Sequence, residues 1–546
     1  MKKNVWLIAL ILLSLLPLFP LIHPGLPVTH DGKDHVARIA NFFQNLQEGV
    51  LIPRWAGNLN WGYGHPVLMF LYPLPSYIAS FFRVLGFSFI DSTKLVFASS
   101  YVLSGITMYI WLKSFLRRES AFLGSILYLF ASYRFIDLYV RGALGEHVAF
   151  IFPPLICYFL YHMTTKRMSK YALFAGISIA GLILAHDAIS IIFLPFIVIY
   201  ACFLVFLQNK KKKAAIEAAS SVVLGFVLSG FFWIPAFFEG KYTLRDIVAS
   251  HDFSHSLFSL SKYIYSPWSF GISGQFSLQI GIIQWVIVLL TSSLMIIYRK
   301  KIQKKDRLLL SVLIVFFILT VGIMTPVSQP FWDHVSLIQK FQFPWRFLSL
   351  AVFITSVIAA VASNLLPDKF RKATVILAVI SVMVTIPYWK VNGYYMRPDS
   401  FFSGIYAGTT DTGESSPRWS VRFMEQQPQS HLEFISGKGR IEEREHMSTF
   451  HHYTVEAGTQ VQLRENTVYF PGWRVLLNNS PFPVEFQDTH NRGVMTFTIP
   501  AGKHDVVVAF AETKLRFLAD AISLFGLLIL AISFILMRTT LWKRFQ

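Results

Sequence analysis

The chain has 546 residues, 54% of them hydrophobic and only 14% charged, which excludes an ordinary soluble domain and points to a polytopic membrane protein. The net charge of +19 is no signal for nucleic acid, because many Lys and Arg lie in short loops between apolar segments. Two cysteines, Cys157 and Cys202, both within apolar segments, exclude a disulfide framework and a Cys-based zinc motif.

Lys2-Lys3 precede an apolar run over about 4–22, which reads as an uncleaved anchor because no small-x-small cleavage site follows it. Positive-inside places this end in the cytoplasm and the next loop, 23–90, outside. Asp31, Asp34, His35 and Arg38 sit at i, i+3, i+4 and i+7, so on a helix they share an arc of roughly 100°. Ile39, Phe43, Leu46 and Val50 take the neighbouring arc. The pattern predicts a helix on the membrane surface with an acid, base and cation cluster at its start. Asp31 also suits a plain N-cap, and Arg54 and Trp55 suit interfacial anchors.

Residues 67–86 are apolar enough to span, but counting them would put Lys113, Arg117 and Arg118 outside and invert every later basic loop. Pro73 and Pro75 also suit an interfacial or broken helix. The predicted spans then follow at 92–112, 120–136, 147–163, 170–185, 188–208, 214–235, 277–298, 308–324, 347–365, 373–388 and 517–537. With the first they make about twelve transmembrane helices, with both termini cytoplasmic.

On this reading the polar clusters gather on the outer side. They are Asp137, Arg141 and Glu146, then His186-Asp187, then Glu239, His251, Asp252 and His255, then Asp333, His334, Gln342 and Arg346. Ionisable residues at span ends are costly unless paired or wet, so four such loops in succession suggest one shared cavity. Residues 389–513 break the membrane pattern. Alternating runs at Thr467–Phe470, Val494–Ile499 and Val506–Phe510, parted by turn signals, predict a small β-rich domain outside the membrane, with 514–546 forming the last span and a cytoplasmic tail.

Asp31/His35/Arg38, Gly49/Pro53/Arg54/Trp55, Gly62/Tyr63/Gly64/Pro66 and Tyr72/Pro73 form a linked pattern. It continues at Phe343–Phe347, at Thr409-Thr410 with Glu414 and Pro417, and at Phe470–Trp473. This pattern resembles the membrane proteins labelled 6-pyruvoyl-tetrahydropterin synthase-related, which are grouped with the GT-C glycosyltransferases. The resemblance implies a mainly α, GT-C-like fold and sugar transfer from a polyprenyl-phosphate donor to an extracytoplasmic acceptor. Nothing in the chain resembles a soluble pterin synthase with a three-His zinc site.

Such transfer needs a carboxylate base, cations for the leaving phosphate and a lipid entry route. The resemblance favours Asp31 as the base, with Asp34 and His35 beside it. Arg38, Arg54, Arg141 and Arg346 are candidates for the phosphate. Trp55, Trp61, Tyr63, Glu146, His186 and Asp187 are candidates for substrate. The resemblance leaves room for a divalent metal, but Asp-x-x-Asp-His has no distinctive ligand spacing and none is assigned. The alternatives are a non-catalytic transporter or lipid-handling protein and an assembly protein using its outer domain. No repeat between the two halves supports a transporter.

Overall fold

A long apolar run in lipid can satisfy its backbone N–H and C=O groups only as a helix. The computed structural model describes residues 4–166, 169–248, 253–272, 274–339, 341 and 343–538, and every stretch predicted to span is helical over most of its length, the one at 277–298 only from Ile282. Among the described residues, eight helices are long and apolar enough to cross a membrane: Val5–Ile22, Phe89–Lys113, Leu144–Lys166, Asp187–Phe206, Lys304–Ile323, Pro344–Leu365, Asp368–Tyr388 and Lys514–Met537. Two further stretches are broken: Arg118–Leu129 with Ser132–Arg141, bent by 45°, and Lys211–Leu228 with Gly230–Phe238, bent by 70°. Lys170–Ala185 and Ile282–Ile297 are shorter apolar helices. The segment over 67–86 folds as Val67–Phe70 and Leu74–Val84, the longer having 11 residues, about half of what a span needs.

The break after Leu129 overturns one expectation. Residues 137–146, with Asp137, Arg141 and Glu146, read from sequence as an outer loop. Instead Ile136–Arg141 is a π-helical turn ending at Gly142, and Glu146 lies in the first turn of the next helix. Asp137 and Glu146 are fully buried and Arg141 nearly so. The polar residues escape the cost of burial by pairing with one another, which a sequence pattern cannot show.

The C-terminal domain is built from antiparallel strands. We number the strands β1 (Leu26–Pro27), β2 (Tyr394–Tyr395), β3 (Leu432–Ser436), β4 (Gly439–His446), β5 (Phe450–Ala457), β6 (Val461–Val468), β7 (Trp473–Leu477), β8 (Ser480–Phe482), β9 (Val494–Ile499) and β10 (Gly502–Phe510). One sheet has the order β4-β5-β10-β7-β8 and a second the order β3-β6-β9. Alternation buries Tyr453, Val455, Leu463, Phe497, Val506 and Val508 between them. Asn478 and Asn479, with φ of 50° and 66°, make the tight β7–β8 turn, where two positive φ values match the strand twist.

Three contacts fix this domain to the membrane helices. β1, in the first loop, pairs with β2. Arg516, at the start of the last span and paired with buried Glu239 at 2.7 Å, donates to the Pro471 carbonyl of the domain. Trp55 packs edge-on against Trp473, with ring centroids 5.3 Å apart.

Candidate active site

Asp31 starts the first-loop helix Gly32–Gln47 but does not cap it. The Thr29 hydroxyl takes the Gly32 N–H instead, at 3.1 Å. The backbone sets where Asp31 sits: the His30 N–H donates to the Val140 carbonyl at 3.0 Å and the Asp31 N–H to the Arg141 carbonyl at 2.9 Å. Gly142, at φ +67°, allows this approach, since a Cβ there would lie 2.3 Å from Thr29 Oγ1. The Asp31 carboxylate takes no hydrogen bond from the described residues. It is accessible to solvent yet surrounded by protein, as a side chain at the floor of a recess must be. Burial raises its pKa above the ordinary carboxylate value, against the opposing pull of Arg141 and then Arg38.

The other residues on that arc are already engaged. Tyr406 donates its hydroxyl to Asp34 Oδ1 at 2.8 Å. Arg38 donates to His35 Nδ1 at 3.0 Å and to the hydroxyl and carbonyl of Thr410, a residue in the left-handed region at φ +66°. His35 is buried, and burial followed by the charge of Arg38 holds it well below the usual imidazole range. A neutral His35 with Nδ1 already accepting from Arg38 is a support for that cation. Asp31, Asp34 and His35 therefore do not converge as a set of metal ligands.

A second cluster of charge centres on Glu146. Its Oε1 accepts from Arg141 at 2.8 Å and lies 3.4 Å from Arg346 Nε, and its Oε2 accepts from Tyr133 at 2.7 Å. Arg141 also donates to Asp137 at 2.6 Å and lies 4.4 Å over the Trp345 ring. His186 Nε2 stands 4.0 Å from Glu146, and its Nδ1 stands 3.4 Å from Asp187. Tyr72 stacks on His186 at 4.6 Å. It can lie so close because Gly145 is beneath its ring, where a Cβ would meet Tyr72 at 2.1 Å.

Beside this cluster opens a cavity of about 650 Å³. Its polar lining includes Tyr72, His186, Lys241, Arg245 and Arg346, with the carboxyl groups of Asp187, Asp246 and Glu414 among them. Its wall is apolar, with Ile183, Ile191, Leu194, Ile197 and Phe226 from three helical stretches. Arg346 gives one N–H to the Phe341 carbonyl at 2.9 Å and keeps part of its side chain exposed. Lys241, Arg245 and Asp246, also on the lining, were missed by the sequence reading, because nothing in a run of loop residues marks which ones turn toward a cavity. Tyr72 and Glu414 stood in the family pattern without a role.

The structure takes four expected residues away from this place. The Arg54 guanidinium is committed to Glu512 at 2.6 Å, Asp520 at 2.6 Å and the Phe231 carbonyl at 3.1 Å, so it has no fork left for a phosphate. Trp55, 1% exposed, is packed against Trp473 and Phe510 and has no free face for a sugar. Tyr63 is buried in the same β-domain core, and its carbonyl accepts from Val468 N–H at 3.0 Å. Trp61 packs against that core too, its backbone N–H donating to the Tyr406 carbonyl at 3.0 Å. Among the outer-loop residues, Glu239 is occupied by Arg516, while His251, Asp252 and Gln342 lie outside the described residues.

Fold and site together define a multi-pass membrane protein with a buried polar cluster beside a cavity of mixed polar and apolar lining. Residues 68–391 match the model of the 6-pyruvoyl-tetrahydropterin synthase related domain, a membrane protein family. The chain belongs to that family. It is 26% identical over 275 residues to an uncharacterized protein of Lactococcus lactis subsp. cremoris (strain MG1363), a match covering 48% of this chain. The matched part spans 44% of that relative, so less than half of its length.

Solved structures with a similar course of the chain include three glycosyltransferases. The arabinofuranosyltransferase AftD from Mycobacteria has a TM-score of 0.44 at 15% identity, over 70% of this chain and 26% of AftD. ArnT from Cupriavidus metallidurans, bound to undecaprenyl phosphate, has 0.42 at 12%, over 73% of this chain and 68% of ArnT. The oligosaccharyltransferase of Archaeoglobus fulgidus has 0.37 at 13%, over 76% of this chain and 57% of that enzyme. At such scores nothing about chemistry follows from the likenesses.

Proposed function

We propose that the chain is a GT-C-type glycosyltransferase that moves a sugar from a polyprenyl-phosphate donor to an extracytoplasmic acceptor, with Asp31 as the base. The observation that carries this reading is the pairing of one uncommitted carboxylate in a recess with a nearby cavity whose lining combines the cations Lys241, Arg245 and Arg346, carboxylates of Asp187, Asp246 and Glu414, and an apolar wall. Asp31 takes the proton of the acceptor hydroxyl as that oxygen attacks the anomeric carbon. The bond to the phosphate breaks, and Arg346, with Lys241 and Arg245, stabilises the departing polyprenyl phosphate. The apolar wall receives the prenyl chain. Glu146 positions Arg346 and Arg141, His35 supports Arg38, and Asp34 is held by Tyr406. Tyr72 with His186 and Asp187 lines the place for the sugar. In this reading both termini are cytoplasmic and the mouth faces outside.

The test is turnover of undecaprenyl-phosphate hexoses and pentoses by purified protein, read as release of undecaprenyl phosphate. The parent should turn over at least one donor. Asp31→Asn should retain undecaprenyl phosphate by native mass spectrometry and release none from the sugar-linked donors. Equal turnover by parent and variant, or no lipid retained by either, overturns the reading.

A further inference from the structure

Far along the chain from the recess, the β-domain carries a row of imidazoles that no part of the transferase reading uses. His446 stacks on His431 at 3.6 Å on one side and on His451 at 4.0 Å on the other. His431 Nδ1 lies 2.8 Å from Glu443 Oε2, and buried His451 Nδ1 lies 2.9 Å from buried Glu465 Oε1. His431, Glu443 and His446 each present a ligand atom, all within 4.8 Å of one another.

The backbone is built to bring these groups together. Residues three apart on a regular strand point to opposite faces. In β4 the register against β5 shifts between Glu443 and Glu445, so that Glu443 opposes Tyr453 while Glu445 and His446 oppose His452 and His451. That bulge turns Glu443 and His446 to one face. His431 comes from the other sheet, immediately before β3. Both pairs therefore cross between sheets: His431 to Glu443, and His451 on β5 to Glu465 on β6.

Stacked imidazoles at these distances repel if charged, and neutral rings present lone pairs. Two imidazoles and a carboxylate suit a zinc-class ion, with ligand bonds of about 2.0–2.2 Å and a fourth position left for water. The N···N separation such an ion requires is reached by turning exposed side chains. We propose that His431, Glu443 and His446 bind one divalent transition-metal ion of the zinc class, which staples the two sheets of the β-domain at their open edge, with Glu465 fixing the supporting His451. The staple would also steady the β4–β5 turn. There Ser448 donates its N–H and its hydroxyl to Glu48 at 2.9 and 3.1 Å, at the end of the helix that begins beside Asp31. This proposal stands whether or not the transferase reading does.

The full-length protein, purified without a polyhistidine tag, is dialysed against zinc or cobalt and its retained metal counted by mass spectrometry. One equivalent per chain is expected, with a cobalt absorption spectrum of tetrahedral type. His446→Ala and Glu443→Gln should each weaken uptake at least ten-fold. Asp31→Asn and Asp34→Asn, which remove the carboxylates of the recess, should retain it. Glu443→Gln guards against a misfolded His446 variant, since Gln keeps the side-chain shape. Uptake that survives both β-domain substitutions, or no uptake by the parent, overturns the site. Uptake lost only with Asp31 or Asp34 places the metal in the recess and equally overturns it.

Discussion

The two halves of the first loop carry the same kinds of residue and have opposite fates. From Asp31 to Arg38 the acids, His and Arg surround a recess, and one carboxylate is left without a hydrogen-bond partner among the described residues. From Arg54 to Tyr63 the Arg is consumed by Glu512 and Asp520, and the aromatic rings are sunk into the core of the β-domain. The difference teaches that residue type does not mark a site. Unused bonding capacity at an accessible surface does, because a group paired within the protein must break that bond to take a ligand, while an accessible free one gives up only water.

Three substitutions break or sharpen this comparison, each contrasting activity with stability. Asp31→Asn has the largest expected effect, a loss of about 10²–10⁴-fold in turnover with the melting temperature kept. Asp31 caps nothing, so a parallel loss of stability would show that the carboxylate is structural after all.

Trp55→Ala should behave in the reverse way. Removing a fully buried indole costs about 3–5 kcal/mol and should lower the melting temperature sharply. If Trp55 instead stacked on a sugar, the donor KM would rise and the melting temperature would hold. Arg54→Gln comes next. It leaves Glu512 and Asp520 without their cation, but with those side chains 42% and 26% exposed, water recovers part of the loss. About 1–3 kcal/mol is expected. A rise in donor KM at unchanged stability would return Arg54 to the phosphate.

Much of the fold was legible because its signals are local. Apolar runs gave the helices, and alternating runs parted by Asn478-Asn479 and Ala501-Gly502 gave strands. The site was legible only in part. The i, i+3, i+4, i+7 spacing put Asp31, Asp34, His35 and Arg38 on one arc, but their roles are divided by residues far along the chain, Tyr406 at Asp34 and Thr410 at Arg38. The fate of Arg54 was hidden for the same reason, since its partners come more than 450 residues later. The π-helical turn at Ile136–Arg141 defeated the reading of that stretch as a loop, because ionisable residues scattered among apolar ones do not announce that they will fold inward and neutralise one another.

The smallest expected effect is also the most specific to the recess. Burial lifts the Asp31 pKa, and Arg141 and Arg38 pull it back. The base must be ionised to work, so the acid limb of kcat/KM should lie above the ordinary carboxylate range. Arg38→Gln removes one of the opposing charges, and the limb should move further up, with the high-pH plateau retaining the same base. The stability consequence has the opposite sense from a salt-bridged acid. A carboxyl with its pKa raised in the folded state contributes stability that is present below the unfolded value and lost as pH rises through the folded one. At neutral pH the ionised Asp31 therefore strains the fold slightly. Asp31→Asn should melt at or above the parent at pH 7, with the advantage vanishing below the ordinary carboxylate range. Rate profiles of parent and Arg38→Gln, with melting curves of parent and Asp31→Asn across pH, measure both. An Asn variant that melts lower at neutral pH would mean that the arginines and not burial set the state of this carboxylate, and a limb that moves down in Arg38→Gln would mean that Arg38 exerts no such pull.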